Sequence, residues 1–339
     1  MRWIHLAERF ALNEDSRPNT SDSHMNGVAL GMFRPGLRGF LLPFSVPTFS
    51  RMCSIPINLF ASVLIAFWTK FPRKVRVATY KTLQMVGRWI YGRSDESETV
   101  QRLPFGLYLK FGRDFDALRN EFNALELVRK HTTVPVPRPV DVVPLSGALR
   151  EDGYLLISRV PGKPLYLYYD IMSDRDYINF ATQMQDYISQ LRSIPKNVNP
   201  NFAICNTLGE ACRDTRILWG DPVGPFVDEA AFNQVLRNAN DAGRKGHAIV
   251  FTHADLNMRN ILVDQVILPD GRKTWKVMGI VDWENSGFYP EYWDYTRSLY
   301  EGFRYTERGR DLMHTIFRPF GDYSKEFDVE KRSWEEGDN

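Results

Sequence analysis

The sequence predicts an α+β protein with two lobes, a small amino-terminal lobe built on an antiparallel sheet and a larger, mainly helical carboxy-terminal lobe. Short alternating segments typical of strands are concentrated before about residue 160, whereas segments with helical periodicity prevail after it. The chain has 339 residues, of which 43% are hydrophobic, so it is also long enough to bury a sizeable core.

The charge balance argues against a partner that binds through a large charged surface. Lys and Arg number 43 against 41 Asp and Glu, and the formal net charge of +2 gives no global field strong enough to draw in nucleic acid or an anionic membrane, so any partner must be chosen by a local site. We therefore expect no nucleic-acid partner. The three cysteines form no CxxC pair, which argues against a disulfide framework or a zinc module, and we expect a reducing compartment and a cytoplasmic protein.

The first 70 residues differ from the rest of the chain and are predicted to form a poorly ordered extension that contains one apolar helix. The apolar segment Ile57–Trp68 is well short of the roughly 20 residues that a membrane-spanning helix needs. We favour a packed helix here, with membrane contact as the alternative. The small lobe is then expected to cover residues 71–160, and the large lobe residues 161–339.

From Pro72 to Tyr91 the apolar side chains recur at helical spacing, and they predict an amphipathic helix. Its expected buried stripe consists of Val75, Thr79, Leu83, Val86 and Ile90. Basic residues lie elsewhere around the helix. A solvated face is the preferred interpretation for them, and contact with lipid phosphates is the alternative.

The next segment carries the first charged candidates. Thr99–Gly112 predicts two short strands interrupted at Pro104, with Lys110 on the second strand, and a helix follows from Asp116 to about His131.

Lys110 and Glu121 are expected to form an ion pair. Glu121 is in step with Leu125 and Val128, so its carboxylate lies at the edge of the buried stripe, where an unpaired charge would be costly. Pairing would offset that cost and would direct the Lys110 ammonium toward phosphates. The alternative is an ordinary edge-strand lysine and a surface glutamate.

Two segments predict the junction of the lobes and the first part of the large lobe. Asp152–Gly162 has the apolar run of a buried strand followed by a turn, and Asp174–Leu191 has the periodicity of a helix. A crevice between two such lobes is a common place for a ligand.

The most informative segment, Ile249–Asp264, is apolar at both ends and polar in the middle. A strand, a short loop and a second strand would bring three polar side chains together on the loop: His253, Asp255 and Asn260. The Asp270-Gly271 turn then separates two β-branched runs, which predicts a hairpin.

Folding the chain at this turn places Asn260 opposite Val281 or Asp282. An amide oxygen and a carboxylate that face each other are hard ligands suited to Mg²⁺, so Asn260 and Asp282 are predicted metal ligands. Asp255 is near enough to accept a proton from a substrate hydroxyl. The alternative is that Asp255 and Asn260 only form turns. His253 is grouped with Asp255 as a catalytic candidate, although bracing of the loop is its preferred interpretation.

These motifs resemble the aminoglycoside phosphotransferase-like family, the branch of the protein-kinase-like fold that phosphorylates small molecules, and in particular its fungal members. The resemblance covers about residue 75 to the end of the chain. It rests on LPFGLYLKFG, TTVPVP, ISQLRSIP, GPFVDEAAF and HADLNMRNILVD followed by VDWENSGFYPEYWDY.

The resemblance implies ATP and Mg²⁺ as cofactors and a role for each matching residue. The catalytic site would comprise Asp255 as base, Asn260 and Asp282 as Mg²⁺ ligands, Lys110 as the phosphate-binding lysine and Glu121 as its partner. The segment Ile157–Val160 resembles the linker between lobes, whose backbone at Ser158 and Val160 would bond the adenine edge.

The chain departs from the family pattern at three points. Ala254 stands where the family usually has glycine, and Asn257 stands where it often has histidine. No GxGxxG precedes Lys110, so a loop over the phosphates would have to come from about Gly92 to Pro104.

The acceptor side is less defined. A cluster after Asp282 could floor an acceptor pocket, although core packing is its preferred interpretation: Tyr289, Glu291, Tyr292, Trp293, Asp294 and Tyr295. The predicted function is ATP-dependent transfer of the γ-phosphate to a hydroxyl of a small molecule. The alternative is a catalytically silent kinase-like module that binds a nucleotide or a partner. A protein kinase is a weaker alternative, because DFG and APE motifs are missing.

Overall fold

A computed structural model describes residues 65, 67–92, 99–145, 152–217, 221–300 and 302–335. They all belong to one of two units of the chain, Ser54–Asn339. The predicted extension 1–70 and the segment Ile57–Trp68 lie largely outside the described residues. No described helix is long and apolar enough to cross a bilayer.

The small lobe is a four-stranded antiparallel sheet between two helices. Its elements are α1 Arg73–Tyr91, β1 Val100–Leu103, β2 Leu107–Gly112, α2 Phe115–His131, β3 Pro139–Pro144 and β4 Gly153–Ser158. The strand order is β1-β2-β4-β3. One face of the sheet packs on α1 and the other on α2, because successive side chains of a strand point to opposite faces.

Helix α1 buries a different stripe from the predicted one. Val77, Tyr80 and Gly87 are buried, whereas Val75 and Ile90 are 44% and 48% exposed, so the prediction was wrong for those two. The reason is tertiary, since a hydrogen-bonded carboxylate and a close backbone contact set the rotation of the helix.

That carboxylate is Asp141 on β3. It accepts hydrogen bonds from the Tyr80 hydroxyl and from Arg76 Nη1, both at 2.5 Å. At Gly87 the helix comes so close to β1 that an added Cβ would lie 2.3 Å from the Arg102 carbonyl oxygen. Both contacts require the same side of α1 to face the sheet.

Helix α2 agrees with the prediction to within one residue. Its N-cap is Asp114, whose side chain accepts from the N–H groups of Asp116 and Ala117. The sequence does not predict β3, which begins and ends with proline. β3 is an edge strand, where a missing N–H donor is tolerated.

The large lobe combines helices with two three-stranded sheets, in the orders β6-β10-β7 and β5-β8-β9. Its elements are β5 Lys163–Pro164, α3 Asp174–Arg192, β6 Cys205–Asn206, α4 Glu229–Asn233, β7 Ile249–Thr252, β8 Ile261–Ile267, β9 Lys273–Ile280, β10 Gly287–Pro290, α5 Trp293–Tyr300, α6 Glu307–Phe317 and α7 Ser324–Glu335. One continuous core joins α2 to this lobe. The α+β class with a small antiparallel-sheet lobe and a larger, mainly helical lobe is therefore confirmed.

The β8–β9 hairpin has the predicted turn and the predicted register. Gly271 adopts φ +82°, a conformation that favours glycine. Ile261 pairs with Ile280, and the Val281 N–H donates to the Asn260 carbonyl at 2.9 Å. The hairpin thus holds Asn260 beside the chain that leads to Asp282.

Candidate active site

The loop between β7 and β8 is organised by His253, which is fully buried. Its Nδ1 accepts the Asp255 N–H at 3.2 Å, and its Nε2 lies 2.9 Å from the Val281 carbonyl oxygen. A backbone N–H can only donate and a carbonyl can only accept, so this geometry requires the neutral tautomer with the proton on Nε2. His253 therefore ties the loop to the end of β9.

Asp294, on α5, caps the same loop by accepting hydrogen bonds from its backbone. Its two carboxylate oxygens accept the N–H groups of His253 and Ala254, at 3.1 and 2.8 Å. Burial raises the pKa of the Asp294 carboxyl, and the two backbone N–H donors oppose that rise. These bonds hold Ala254 at φ +62°, which explains why glycine suits this position.

This backbone conformation leads to a prediction about Ala254. We expect Ala254→Gly to leave the free energy of unfolding within about 1 kcal/mol of the wild type, because relief of left-handed strain roughly balances the flexibility of glycine. Ala254→Val should lose about 2 kcal/mol or more, since the site is fully buried and a β-branched residue disfavours positive φ. Urea denaturation of both variants measures the difference, and equal stability would contradict the described loop conformation.

Asp255 is 6% exposed, and its two carboxylate oxygens have different surroundings. Oδ1 accepts Arg297 Nε at 2.7 Å and Nη2 at 2.6 Å, and it also accepts Asn257 Nδ2 at 3.1 Å. Oδ2 accepts only Asn260 Nδ2, at 3.0 Å, among the described residues. Since a carboxylate oxygen has two lone pairs, Oδ2 retains the capacity to bond a further hydroxyl.

The Asn260 amide is oriented by Asp255. Asn260 Nδ2 donates to the Asp255 carbonyl at 2.9 Å and to Oδ2 at 3.0 Å. Both amide hydrogens are thereby used, and the amide oxygen Oδ1 is left for a different partner. This places an oxygen donor beside the end of the hairpin.

Lys110 lies at the centre of a cluster of three carboxylates, and its Nζ contacts each of them. The distances are 2.7 Å to Glu121 Oε2, 2.5 Å to Asp282 Oδ1 and 2.8 Å to Glu284 Oε2. The predicted pairing of Lys110 with Glu121 is confirmed. Asp282 has φ +70°, a left-handed conformation that aspartate tolerates better than most residues.

Burial and charge act in opposite directions in this cluster. Burial lowers the pKa of Lys110, but Asp282, Glu121 and Glu284 outweigh it and hold that pKa well above its usual value. Burial raises the pKa of Glu121 to about 7, because Lys110 offsets only part of the desolvation. The pKa of Asp282 is lowered, since the attraction of Lys110 exceeds the effect of burial.

The lysine cluster lies next to the loop between β7 and β8. The Val281 N–H donates to the Asn260 carbonyl at 2.9 Å, and Asp282, the next residue, contacts Lys110 Nζ at 2.5 Å. The structure therefore brings together the residues that the sequence predicts for one site: Lys110, Glu121, Asp255, Asn260 and Asp282.

Helix α2 is fixed to the large lobe next to Glu121. Asn120 Nδ2 donates to the carbonyls of Glu284 and Ser286, at 2.9 and 2.8 Å, and its Oδ1 accepts the Thr207 N–H at 2.9 Å. Asn120 is 3% exposed, so these bonds are shielded from water. They hold the helix at a constant distance from the loop that carries Asp282.

The segment Ile157–Val160 joins β4 to the large lobe. The N–H groups of Ser158 and Arg159 donate to the carbonyls of Arg138 and Gly106, at 2.9 and 2.8 Å. Val160 packs against β9, where an added Cβ on Gly279 would lie 2.3 Å from Val160 Cγ1. The Val160 N–H has no hydrogen-bond partner among the described residues.

The aromatic residues that were suggested as the floor of an acceptor pocket are buried in the structure and do not form the surface of a pocket. Tyr289, Tyr292 and Trp293 are fully buried, and Tyr289 stacks on Trp293 with ring centroids 5.6 Å apart. The preferred interpretation of these aromatics as core is confirmed. Asp294 caps the loop, and Glu291 lies 3.6 Å from Arg192, so the polar members also serve the large lobe.

Sequence reasoning missed Asn120, Glu284 and Arg297, and it named Asp294 as part of an acceptor cluster without predicting that Asp294 binds the backbone of the loop. The sequence does contain a signal for Asp294 and Arg297. Asp294 and Arg297 are three residues apart and therefore share one face of α5, so a helix that carries the loop cap also carries the partner of Asp255. Glu284 and Asn120 depend on contacts between the lobes, which no local pattern predicts.

Comparisons with known proteins show which family the chain matches. A family model described as the phosphotransferase enzyme family matches residues 97–325, which include β2 with Lys110, the loop between β7 and β8, and Asp282. A search of curated proteins gives no match.

Several solved structures are similar to the chain. A thermostable mutant of aminoglycoside phosphotransferase APH(4)-Ia with ADP and hygromycin B is 11% identical, with a TM-score of 0.48 over 74% of this chain and 87% of that one. The GDP complex of aminoglycoside 2'-phosphotransferase-IIIa is 14% identical, with a TM-score of 0.49 and coverages of 75% and 87%. The APH(2")-IIIa complex with GDP and kanamycin is 18% identical, with a TM-score of 0.48 and coverages of 75% and 86%.

Proposed function

Because the chain belongs to the phosphotransferase enzyme family, we propose that it transfers the γ-phosphoryl group of ATP to a hydroxyl of a small molecule. The observation that carries the proposal is the contact of Lys110 with Asp282 at 2.5 Å, beside the chain to which Asn260 is bonded, while the Asn260 amide bonds Asp255 Oδ2. Phosphoryl transfer needs positioning and charge neutralisation more than covalent participation by the protein. A buried carboxylate beside an ammonium and metal-binding oxygens supplies those needs.

Asp255 is the proposed base. Arg297 and Asn257 engage Oδ1, which leaves Oδ2 to accept the hydrogen of the acceptor hydroxyl and to direct its oxygen at phosphorus. Asn260 bonds the same Oδ2 and limits its rotation. His253 touches neither reacting group in this proposal, and it positions Asp255 through the backbone N–H.

The oxygen donors at the end of the hairpin suit Mg²⁺. The oxygens of Glu121, Asp282 and Glu284 lie within 4.8 Å of one another, and the Asn260 amide oxygen is turned away from Asp255. Hard oxygen ligands of this kind match Mg²⁺, with Asn260 and Asp282 as the proposed ligands. When bound, the ion would neutralise charge on the phosphates.

Lys110 is the proposed phosphate ligand from the small lobe. It now bonds three carboxylates, and phosphate oxygens would replace Asp282 and Glu284 while Glu121 keeps the ammonium in place. The backbone of Ser158 and Val160 is the proposed contact for the adenine edge. The Val160 N–H, which has no hydrogen-bond partner in the part of the chain that the structure describes, supports this assignment. Similar structures hold ADP or GDP, so ATP and GTP are both to be compared as donors.

The acceptor is proposed to be a small molecule with a free hydroxyl. The similar proteins named above are aminoglycoside phosphotransferases, two of them with hygromycin B or kanamycin bound. An aminoglycoside is one candidate for this chain, and sugars and hydroxylated amines are others.

The first test is nucleotide binding and turnover. We expect Mg-ATP to raise the melting temperature, because a ligand that binds only the native state stabilises it. We expect ADP release to increase when the right hydroxyl compound is added. The measurements are thermal shift with ATP or GTP, each with and without Mg²⁺, and coupled ADP release across a panel of acceptors.

The two outcomes separate the candidate functions. Binding of Mg-ATP without ADP release for any acceptor favours the catalytically silent module. No thermal shift with either nucleotide, in the presence of Mg²⁺, contradicts every nucleotide-dependent function proposed for this site.

A further inference from the structure

The face of α1 that points away from the sheet carries an exposed apolar stripe. Its members follow each other at steps of three and four and therefore lie in one line along the helix: Val75, Ala78, Thr82, Met85 and Trp89. All five are exposed, and Trp89 and Met85 are 86% and 62% exposed. The Thr82 hydroxyl bonds the Ala78 carbonyl at 3.1 Å, so the stripe presents little polar surface.

Two exposed aromatic residues precede α1 in the chain. Phe67 and Phe71 are 64% and 37% exposed, and their rings meet edge to face with centroids 5.2 Å apart. From Val75 to Trp89 alone the stripe is about 21 Å long, at the rise of an α-helix. Isolated exposed apolar residues are common, but a continuous line of this length indicates an interaction surface.

A row of cations runs beside the stripe. Lys74, Lys81 and Arg88 are seven residues apart, so they lie on one side of the helix, and all three are exposed. Helix α1 contains no Asp or Glu, and no carboxylate among the described residues forms an ion pair with these three. The outer face is therefore apolar along its centre and positively charged along one edge.

The helix cannot hide this face by turning. Tyr80 and Arg76 are bonded to Asp141, and Gly87 is in close contact with the β1 backbone. Rotation would break these bonds and place a larger residue than glycine against the Arg102 carbonyl. The stripe therefore stays on the outside, which is what a permanent docking surface requires.

We propose that the outer face of α1 binds an anionic lipid bilayer. Trp, Met and Phe side chains with adjacent Lys and Arg are typical of helices that lie in the plane of a membrane interface, with the apolar side chains at the headgroup boundary. The cations are evenly spaced along the helix and have no acidic neighbours on it, which complements a diffuse negative surface. Binding to a bilayer is separate from phosphoryl transfer, and it locates the protein at a membrane surface.

The test is co-sedimentation of the full chain with phosphatidylcholine vesicles, with and without phosphatidylserine. One variant removes the cations, Lys74→Gln/Lys81→Gln/Arg88→Gln, and another removes the apolar centre, Met85→Ser/Trp89→Ser. Each variant has a matched control elsewhere on the surface. The control for the cation variant is Lys245→Gln/Lys273→Gln/Lys276→Gln, which makes the same change in charge. The control for the apolar variant is Ile178→Ser/Ile267→Ser, at residues that are 63% and 71% exposed.

We expect the wild type and both controls to bind the phosphatidylserine vesicles, and salt to weaken this binding. Each cation near an anionic leaflet contributes about a fivefold factor, so the triple variant should partition about 100-fold more weakly. The apolar variant should lose at least about tenfold. Melting temperatures of all variants should stay close to that of the wild type, because the changed residues are exposed.

Three results would overturn the proposal. The wild type could fail to bind anionic vesicles at low salt. The α1 variants could bind as well as the wild type, which would assign the binding to another segment. The α1 variants could instead change only the oligomeric state in size-exclusion chromatography while the wild type ignores lipid, which would assign the stripe to a second copy of the chain.

Discussion

The Asp255→Asn variant is expected to lose at least about 100-fold in kcat for phosphoryl transfer, by the usual contribution of a general base. The amide that replaces the carboxylate cannot accept the proton of the acceptor hydroxyl. Binding of the nucleotide should change little, because Asp255 is proposed to touch the acceptor and not the phosphates. Single-turnover kinetics with the acceptor that the panel identifies, and thermal shift with Mg-ATP, measure the two effects separately.

A second effect of this substitution has to be separated from the first. Arg297 is 7% exposed at its side chain and bonds Asp255 Oδ1, so Asp255→Asn leaves a buried cation without its partner. Breaking a buried pair in this way typically costs about 3–5 kcal/mol. Loss of activity could then reflect unfolding.

The double variant Asp255→Asn/Arg297→Gln removes the buried cation as well. It should recover most of the melting temperature and none of the activity. The single variant Arg297→Gln should keep more activity than Asp255→Asn, since the base is still present and only its orientation is loosened. A stable double variant with kcat within tenfold of the wild type would show that Asp255 is not the base.

The Lys110→Met variant is expected to lose both transfer activity and part of the stability of the protein. Removing one donor that faces developing charge costs about 10²–10³ in kcat. Loss of the ammonium also leaves Glu121, which is 2% exposed, without its counter-charge. Asp282 and Glu284 are more exposed and can be hydrated, so Glu121 dominates the loss of stability.

The loss of stability in Lys110→Met should grow with pH. Burial already raises the pKa of Glu121 to about 7 in the wild type, above the value of an unfolded carboxyl. When the pKa of a carboxyl is higher in the folded state than in the unfolded state, the stability of the protein falls as the pH rises from the unfolded-state pKa to the folded-state pKa. Without Lys110 the pKa of Glu121 in the folded state is higher still. The stability of the variant therefore continues to fall above the pH at which the stability of the wild type becomes constant.

Melting temperatures of both proteins between about pH 6 and pH 9 measure this divergence. The double variant Lys110→Met/Glu121→Gln removes the buried acid together with the lysine, and it should restore stability without restoring transfer. A Lys110→Met protein whose melting temperature follows that of the wild type at every pH would contradict the buried pair.

Local patterns predicted several contacts of the candidate site correctly. The alternation around Lys110 and the helical spacing of Glu121 with Leu125 predicted an ion pair, and its length of 2.7 Å confirms it. The glycine turn at Gly271 set the register that brings Asn260 beside Val281. The family match agrees with the predicted two-lobed, kinase-like fold class.

Hydrophobic periodicity failed to predict the buried face of a helix where two of its faces carry apolar residues. Helix α1 has apolar residues on more than one face, and the spacing of Val75 and Ile90 fits a helix as well as that of Val77 and Tyr80. Asp141, more than 60 residues away on β3, decides together with the close contact of Gly87 on β1 which face is buried. Hydrophobic periodicity contains no information about such a distant polar partner.

The sequence by itself determined which residues are candidates for the chemistry and in which elements they lie, because turn geometry, strand alternation and helical spacing act over short stretches of chain. The tertiary structure alone decided how those residues are held. Arg297 on Asp255, Glu284 on Lys110 and Asn120 between the lobes are contacts between segments that are 42, 174 and up to 166 residues apart. Such contacts depend on the packing of whole elements, which fixes side-chain positions that no local preference specifies.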